Sequence, residues 1–219
     1  MKIRPTIVLA DDHVLVAEGI RKMLAHKYEI RGIVTDGRAL LKAIEEHAPD
    51  IAIVDISLPL LNGLDVSRQL RKHHPTVKII ILTMHSDPSC VTEAFRIGVS
   101  GYVLKQSVCS ELVQALKEVL RGNTFISPIA QRSLTQLTQA SVIESDGEAK
   151  EFDHTLSWRQ REVLQLVAEG KSIKEVASVL NVSNKTVEFH KTRIKKQLGL
   201  QSTAQLTKYA IANGLISIH

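Results

Sequence analysis

Four short, almost wholly apolar runs stand out in the first half of the chain, and each ends at a polar residue. They are TIVLA before Asp11, IAIV before Asp55, KIIIL before Thr83 and GYVL before Lys105. Runs of this kind are typical of strands that are buried on both faces, and helical patterns separate them here. With a further strand at about residues 30–35, they predict a doubly wound α/β domain with a five-stranded parallel sheet.

The polar residues that follow these runs are expected to share one edge of the sheet, where parallel α/β proteins bind their ligands. Five side chains should gather there: Asp11, Asp12, Asp55, Thr83 and Lys105. Carboxylates at one site repel one another unless a cation lies among them, and Mg²⁺ prefers such oxygen ligands. With its charge balanced, Asp55 can attack a phosphoryl group, while Lys105 and Thr83 contact the phosphoryl oxygens.

The distribution of charge divides the chain of 219 residues, whose net charge is +5, into unequal parts. Residues 153–219 carry 10 Lys and Arg against 5 Asp and Glu, whereas residues 1–125 carry 16 against 14. A small basic domain beside a nearly neutral one indicates a polyanionic partner. Residues 126–152 lack a strong pattern and are acidic at 141–151, so we interpret them as a linker with one short helix at most.

Several classes of protein are disfavoured by composition. No apolar run approaches the ~20 residues that a membrane span requires, so we expect no membrane partner. The N-terminus enters the first strand directly, without the pattern of a secretory signal. The two cysteines, Cys90 and Cys109, lack the spacing of a metal site. Free thiols in a reducing compartment are expected, which predicts a cytoplasmic protein.

The last third of the chain has the pattern of a helix-turn-helix. Two helices flank the tight turn at residues 181–183, and the second helix is longer and basic. Val187, Ile194 and Leu198 recur at helical spacing and should face the core, which leaves a polar face for the DNA major groove. The lysines are expected on phosphates, with Phe189 and Glu188 on base edges. The candidate DNA contacts are Lys185, Thr186, Glu188, Phe189, Lys191, Thr192, Lys195 and Lys196.

Residues 1–125 resemble the receiver domain of bacterial two-component response regulators. The matching residues are Asp11-Asp12, Asp55 with Pro59 and Gly63 after it, Thr83, and Gly101-Tyr102 with Lys105. The resemblance implies that a sensor histidine kinase phosphorylates Asp55. It implies a Mg²⁺ ion held by Asp11, Asp12, Asp55 and the backbone carbonyl of Ser57. It also implies that Thr83 turns toward the phosphoryl group while Tyr102 rotates inward as a switch.

Residues 155–215 resemble the LuxR-type output domain of the NarL/FixJ subfamily, through LSWRQREVL at 156–164, IKEVA at 173–177 and TVEFH at 186–190. The resemblance implies a transcription factor that binds double-stranded promoter DNA. Phosphorylation is expected to promote either dimerisation or release of the basic domain, with a homodimer formed on phosphorylation or on DNA. Two residues depart from the family: Gln160 replaces the usual Glu, and Glu188 stands where some members have Lys. Glu162 is expected to pair with an arginine near the recognition helix.

Two alternatives remain open on the residues. A transcription factor with a vestigial receiver would bind DNA without control by phosphorylation, but the complete set of polar residues at the strand ends disfavours it. A haloacid-dehalogenase-like phosphatase also uses an Asp nucleophile with Mg²⁺. Its nucleophile lies in an Asp-x-Asp pattern at the first strand, which this sequence lacks. We therefore predict a protein that is not an enzyme.

Overall fold

The structure is a computed structural model that describes residues 4–84, 86–140 and 156–216, with backbone alone at 136–140. The acidic stretch that we interpreted as a linker, residues 141–151, lies outside the described residues. The strands are β1 (Thr6–Ala10), β2 (Glu29–Val34), β3 (Ile51–Asp55), β4 (Lys78–Thr83), β5 (Gly101–Leu104) and β6 (Phe125–Ile126). The helices are α1 (Val14–Leu24), α2 (Gly37–His47), α3 (Gly63–His73), α4 (Pro88–Ile97), α5 (Val108–Leu120), α6 (Pro128–Ala140), α7 (Trp158–Ala168), α8 (Ile173–Leu180), α9 (Asn184–Leu198) and α10 (Thr203–Ala212).

The six strands of the described residues form one parallel sheet in the order β2-β1-β3-β4-β5-β6. The prediction of a parallel sheet between helices, followed by a helical domain, is confirmed. The sheet has six strands instead of five because Phe125 and Ile126 pair with β5. A strand of two residues is too short to show any periodicity, which is why the sequence pattern missed it.

Packing on both faces of the sheet explains the apolar runs. Val8 and Val54 belong to one core, beneath α2, α3 and α4, while Leu9 and Ile53 belong to the other, beneath α1 and α5. All residues of β1 and β3 are buried. Because the strands are parallel and in register, with Asp55 opposite Leu82, the residues that follow β1, β3, β4 and β5 lie along one edge.

The helical pattern of α1 was right for three residues and wrong for two. The spacing places Val14, Leu15, Ala17, Ile20 and Leu24 toward the sheet, but the exposed fractions of Val14 and Leu15 are 63% and 89%. The helix begins at Val14, one residue after the N-cap His13, and it buries Ala17, Ile20 and Leu24. The first turn of α1 therefore presents apolar side chains to solvent near the edge of the sheet.

The helices α7 to α10 surround a third core that includes Leu164, Val176, Val187 and Leu206. Helices α8 and α9 form the predicted helix-turn-helix, in which Asn181 ends α8 in the left-handed conformation with φ 51°. Such a conformation is tolerated by Asn better than by most residues. The turn brings Ser183 to the N-cap of α9, where its hydroxyl accepts a hydrogen bond from the Thr186 N–H.

None of the helices in the described part of the chain is both long enough and apolar enough to cross a membrane.

Candidate functional site

The edge of the sheet brings together the acidic residues that the strand ends predicted. Ligand atoms of Asp11, Asp12, His13 and Asp55 all lie within 4.8 Å of one another. The Lys105 ammonium lies between two of these carboxylates, 2.8 Å from Asp55 Oδ2 and 2.9 Å from Asp11 Oδ2. Since the Lys105 side chain is only 7% exposed, water screens these ion pairs poorly. The site is therefore a buried, strongly charged cluster.

The cluster holds more negative than positive charge. Burial raises the pKa of Asp55, and Asp11 adds to this, while Lys105 and the Ser57 N–H only partly offset it. Burial acts to lower the pKa of Lys105, but Asp55 and Asp11 raise it above its ordinary value. Lys105 therefore stays protonated and is shared by two carboxylates, with Asp12 close by. A divalent cation with oxygen ligands fits this excess of negative charge.

The remaining predicted site residues lie on the loop after β3, at the end of β4 and on β5. The Ser57 N–H donates to Asp55 Oδ1 at 3.2 Å, so the loop after β3 folds back over the carboxylate. Thr83 ends β4 and is fully buried. Tyr102 is also fully buried, and burial raises the pKa of its phenol, with smaller effects from Cys90 and Asp87. Tyr102 thus already has an inward position.

His13 belongs to the cluster, although from the sequence we interpret it as a surface helix residue beside the acidic pair. Its Nδ1 lies 2.9 Å from Asp12 Oδ1, and its backbone N–H donates to Asp11 Oδ1 at 2.8 Å. As the N-cap of α1 it lies half-exposed at the mouth of the site. Its position next to an acidic pair at a strand end was the available signal.

Removing one negative charge from this cluster should stabilise the fold. We expect Asp55→Asn to raise the free energy of unfolding by about 1 kcal/mol at neutral pH without Mg²⁺, or about 2–4 °C in Tm. Folding raises the pKa of Asp55 above its ordinary value of 3.8, so its contribution is complete below that pH and is lost as pH rises through the folded pKa. The advantage of Asn should thus grow with pH. Thermal unfolding in EDTA at several pH values tests this; a variant less stable than wild type at neutral pH would contradict it.

The second predicted site lies on α9. Val187 and Ile194 face the core, as expected, and the opposite face is open to solvent, with Phe189 59% exposed. Five of the eight predicted contact residues are exposed and the other three are partly exposed. The exposed residues are Lys185, Glu188, Phe189, Thr192 and Lys196, and the partly exposed ones are Thr186, Lys191 and Lys195.

Two residues on α9 extend this picture. Arg193 is exposed four residues after Phe189, which places both on the same side of the helix. Arg193 was not among the predicted contacts, although its spacing of four residues from Phe189 in the sequence indicates the same face. The Lys195 ammonium donates to the Gln201 carbonyl at 2.9 Å, so contacting a DNA phosphate would require it to give up this hydrogen bond.

Gln160 and Glu162 of α7 both have structural roles. Gln160 completes the capping box with Ser157, and its amide donates to the Gln197 side chain of α9. An amide thus replaces the usual carboxylate without loss of the cap. The expectation for Glu162 was wrong: it pairs with Arg159 of its own helix and with Arg38 of α2, at 2.8 and 3.0 Å. Arg38 belongs to the sheet domain, and no sequence pattern reveals a pair across domains.

Comparison with known proteins agrees with both candidate sites, the acidic cluster at the edge of the sheet and the exposed face of α9. Residues 7–117 match the response regulator receiver domain, and residues 154–210 match the luxR family of bacterial regulatory proteins. The chain belongs to the NarL/FixJ subfamily of two-component response regulators. The resemblance drawn from the sequence is therefore confirmed for both domains.

Relatives of this response regulator align along nearly its whole length. The transcriptional regulatory protein DegU of Brevibacillus brevis is 32% identical over 224 residues, covering 97% of this chain and 95% of DegU. The oxygen regulatory protein NreC of Staphylococcus carnosus (strain TM300) is 35% identical over 213 residues, covering 96% and 98%. The receiver and luxR-family matches confirm the prediction of a response regulator with a DNA-binding domain, a class of transcription regulators and not of enzymes.

Solved structures give the same result. The RcsB response regulator of Salmonella typhimurium is 27% identical, with a TM-score of 0.63, and the match covers 96% of this chain and 98% of RcsB. An RcsB–DNA complex is 28% identical, with a TM-score of 0.59 and coverage of 94% and 98%. The order of the two domains is thus shared by this response regulator and RcsB.

Proposed function

We propose that Asp55 is the phosphoacceptor of this response regulator and that a sensor histidine kinase is the donor. The contact of Lys105 with both Asp55 and Asp11 carries the proposal. This contact holds a fixed cation beside the attacking carboxylate, where it can pair with a phosphoryl oxygen. Thr83, at the end of the neighbouring strand, offers a hydroxyl to a second oxygen. In this proposal Tyr102 is the switch residue, which responds when Thr83 turns toward the phosphoryl group.

We assign Mg²⁺ to the acidic cluster, with Asp11, Asp12, Asp55 and the backbone carbonyl of Ser57 as its ligands. Three carboxylates near one lysine support the assignment, because hard divalent cations prefer oxygen ligands. When bound, the ion would balance charge between the carboxylates and the incoming phosphoryl group. Asp12, whose side chain is 18% exposed, lies on the solvent side of the cluster and faces the entry path.

The proposed reaction is a direct transfer. A carboxylate oxygen of Asp55 forms a bond to phosphorus while the phosphorus–nitrogen bond of the kinase phosphohistidine breaks, and the imidazole leaves and takes up a proton. Such transfers depend on positioning and on charge stabilisation. The residues of this chain supply both, since Lys105 and the Ser57 N–H orient the two oxygens of Asp55.

The proposed output is binding of promoter DNA by α9 as a homodimer. The exposed lysines of α9 would contact phosphates, while Glu188 and Phe189 would contact base edges. Phosphorylation would shift an existing equilibrium toward the dimer. Because bacterial promoters and kinase phosphoryl groups are found in the cytoplasm, the proposal places the protein there.

The deciding experiment is intact mass spectrometry and native molecular weight, with Mg²⁺, before and after addition of acetyl phosphate. We expect one phosphoryl adduct on wild type and none on Asp55→Asn, together with a shift from monomer to dimer. Glu45→Gln, which changes an exposed carboxylate of α2 outside the cluster, is the control and should keep the adduct. Absence of any adduct on wild type would favour the vestigial receiver. An adduct that persists in Asp55→Asn would move the phosphoacceptor elsewhere.

A further inference from the structure

The DNA-binding domain contacts the loop that follows the phosphoacceptor strand. Gln165 of α7 is 1% exposed, and its side-chain oxygen accepts from the Asn62 N–H at 2.7 Å. Its side-chain nitrogen donates to the Leu58 carbonyl at 2.9 Å and to Glu169 Oε1 at 2.8 Å. Every donor and acceptor of this buried amide is used, and two of the three bonds cross the domain boundary.

Neighbouring contacts tighten the same junction. Glu169 Oε1 accepts from the Leu60 N–H at 3.1 Å, and the Asn62 side chain donates to the Gly214 carbonyl at 3.1 Å. Leu60 packs against the core of the DNA-binding domain and has φ +64°, a conformation that is unfavourable for leucine. The DNA-binding domain thus holds the loop in a shape that its sequence alone does not favour.

The loop is also attached directly to the phosphorylation site. It begins at Ile56, immediately after Asp55, and carries Ser57, whose N–H donates to the Asp55 carboxylate. At its far end the loop passes so close to β3 that a Cβ on Gly63 would lie 2.0 Å from the Asp55 carbonyl oxygen. The loop from Ile56 to Gly63 is therefore held against β3 at both ends. Because it is short, a contact that fixes Asn62 also restricts the backbone at Ser57.

We propose that Gln165, supported by Glu169, is a positioning residue for the phosphorylation chemistry. By fixing the loop from Leu58 to Asn62, it lets the docked DNA-binding domain preorganise the backbone around Asp55. The inference rests on the proposed function of Asp55. Because coupling between two sites is reciprocal, metal binding at the acidic cluster must in turn favour docking. Docking and phosphorylation therefore support each other in this chain.

The exposure of α9 is compatible with this coupling. In the docked arrangement Lys185, Phe189 and Lys196 remain exposed, so the DNA-binding face is open while α7 holds the loop. The polar contacts with the sheet domain come instead from α7 and from the residues after α10, and they include those of Arg161, Glu162, Gln165, Glu169 and Gly214. A phosphorylated and docked chain can therefore present its recognition helix.

The test uses the full chain in three variants. Gln165→Ala removes the contact, and Gln165→Glu keeps the size and the acceptor but places a carboxylate against the Leu58 carbonyl and Glu169. Glu169→Gln keeps the acceptor for the Leu60 N–H. It also removes the Glu169 carboxyl group, whose pKa is raised by burial. Gln201→Ala, an exposed glutamine outside the junction, is the matched control. Circular dichroism and Tm establish that each variant is folded.

Three quantities are measured: the rate of phosphoryl incorporation from acetyl phosphate, the Mg²⁺ affinity by calorimetry, and the emission of Trp158. Trp158 is the only tryptophan in the sequence and borders a cleft between α7 and α3, so its emission reports docking. We expect both Gln165 variants to lose at least about fivefold in rate and in Mg²⁺ affinity, with altered Trp158 emission. Gln201→Ala should match wild type, and Glu169→Gln should show a smaller loss than the Gln165 variants, because its side-chain oxygen can still accept from the Leu60 N–H.

Two results would overturn the inference: Gln165 variants with the rate and Mg²⁺ affinity of wild type, or variants that are faster, which would mean that docking restrains the site. If wild type takes up no phosphoryl group, the proposed function fails. The Mg²⁺ affinities and the Trp158 emission then still decide whether Gln165 acts on the acidic cluster, so the two failures are distinguishable.

Discussion

Replacement of Lys105 by Met should destabilise the receiver domain by about 3 kcal/mol in Mg²⁺-free buffer at neutral pH. For a chain of this size the corresponding fall in Tm is about 6–12 °C. Lys105 is buried between Asp11 and Asp55, so its loss leaves two buried carboxylates without their cation. Methionine has a similar length, which limits the contribution of a cavity. Thermal or urea unfolding in EDTA measures the loss.

Two controls separate charge from packing. Lys27→Met changes an exposed lysine and should leave Tm within about 1 °C of wild type. Addition of Mg²⁺ should restore much of the stability of Lys105→Met, because a divalent cation replaces the missing charge among the carboxylates. A Lys105→Met protein as stable as wild type in EDTA would show that the cluster needs no cation. That result would also remove the argument for a metal at this edge.

The second large effect is expected on DNA binding. The double variant Lys185→Ala and Lys196→Ala should lose at least about tenfold in affinity for a duplex of mixed sequence at fixed salt. Both lysines are exposed on the outward face of α9, where they can reach phosphates. Each lost phosphate contact should lower the log–log salt slope by roughly 0.9, which gives about 2 for the pair. Fluorescence anisotropy over a salt series measures both quantities.

The matched control for this pair has the same change in charge. Lys27→Ala with Lys42→Ala removes two exposed lysines from the receiver domain and should leave affinity and salt slope nearly unchanged. If this control weakened binding as much as the α9 pair, net charge would account for the effect. In that case α9 would lose its place as the DNA-binding element.

The two lysine predictions depend on features that the sequence shows to different extents. Lys105 follows an apolar strand, so its place near Asp55 could be predicted from the parallel sheet. That it is shared between Asp55 and Asp11 depends on distances that only the folded chain defines. On α9, helical spacing predicted the exposed face, but the bond between Lys195 and the Gln201 carbonyl depends on how the chain turns after Gly199.

Local patterns in the sequence determined the two domains, the order of most strands and helices, and the residues of the acidic cluster. Buried strands require continuous apolar runs, and helices that pack on a sheet require apolar residues with a period of 3.6. Both patterns can therefore be recognised in the amino-acid sequence. The tertiary structure alone decided the pairing of Glu162 with Arg38 and the hydrogen bonds that Gln165 makes to the β3–α3 loop. Residues far apart in the chain make these contacts, many of them with backbone groups that every residue possesses. No spacing in a single sequence records them, because the physical cause is the packing of one folded domain against another.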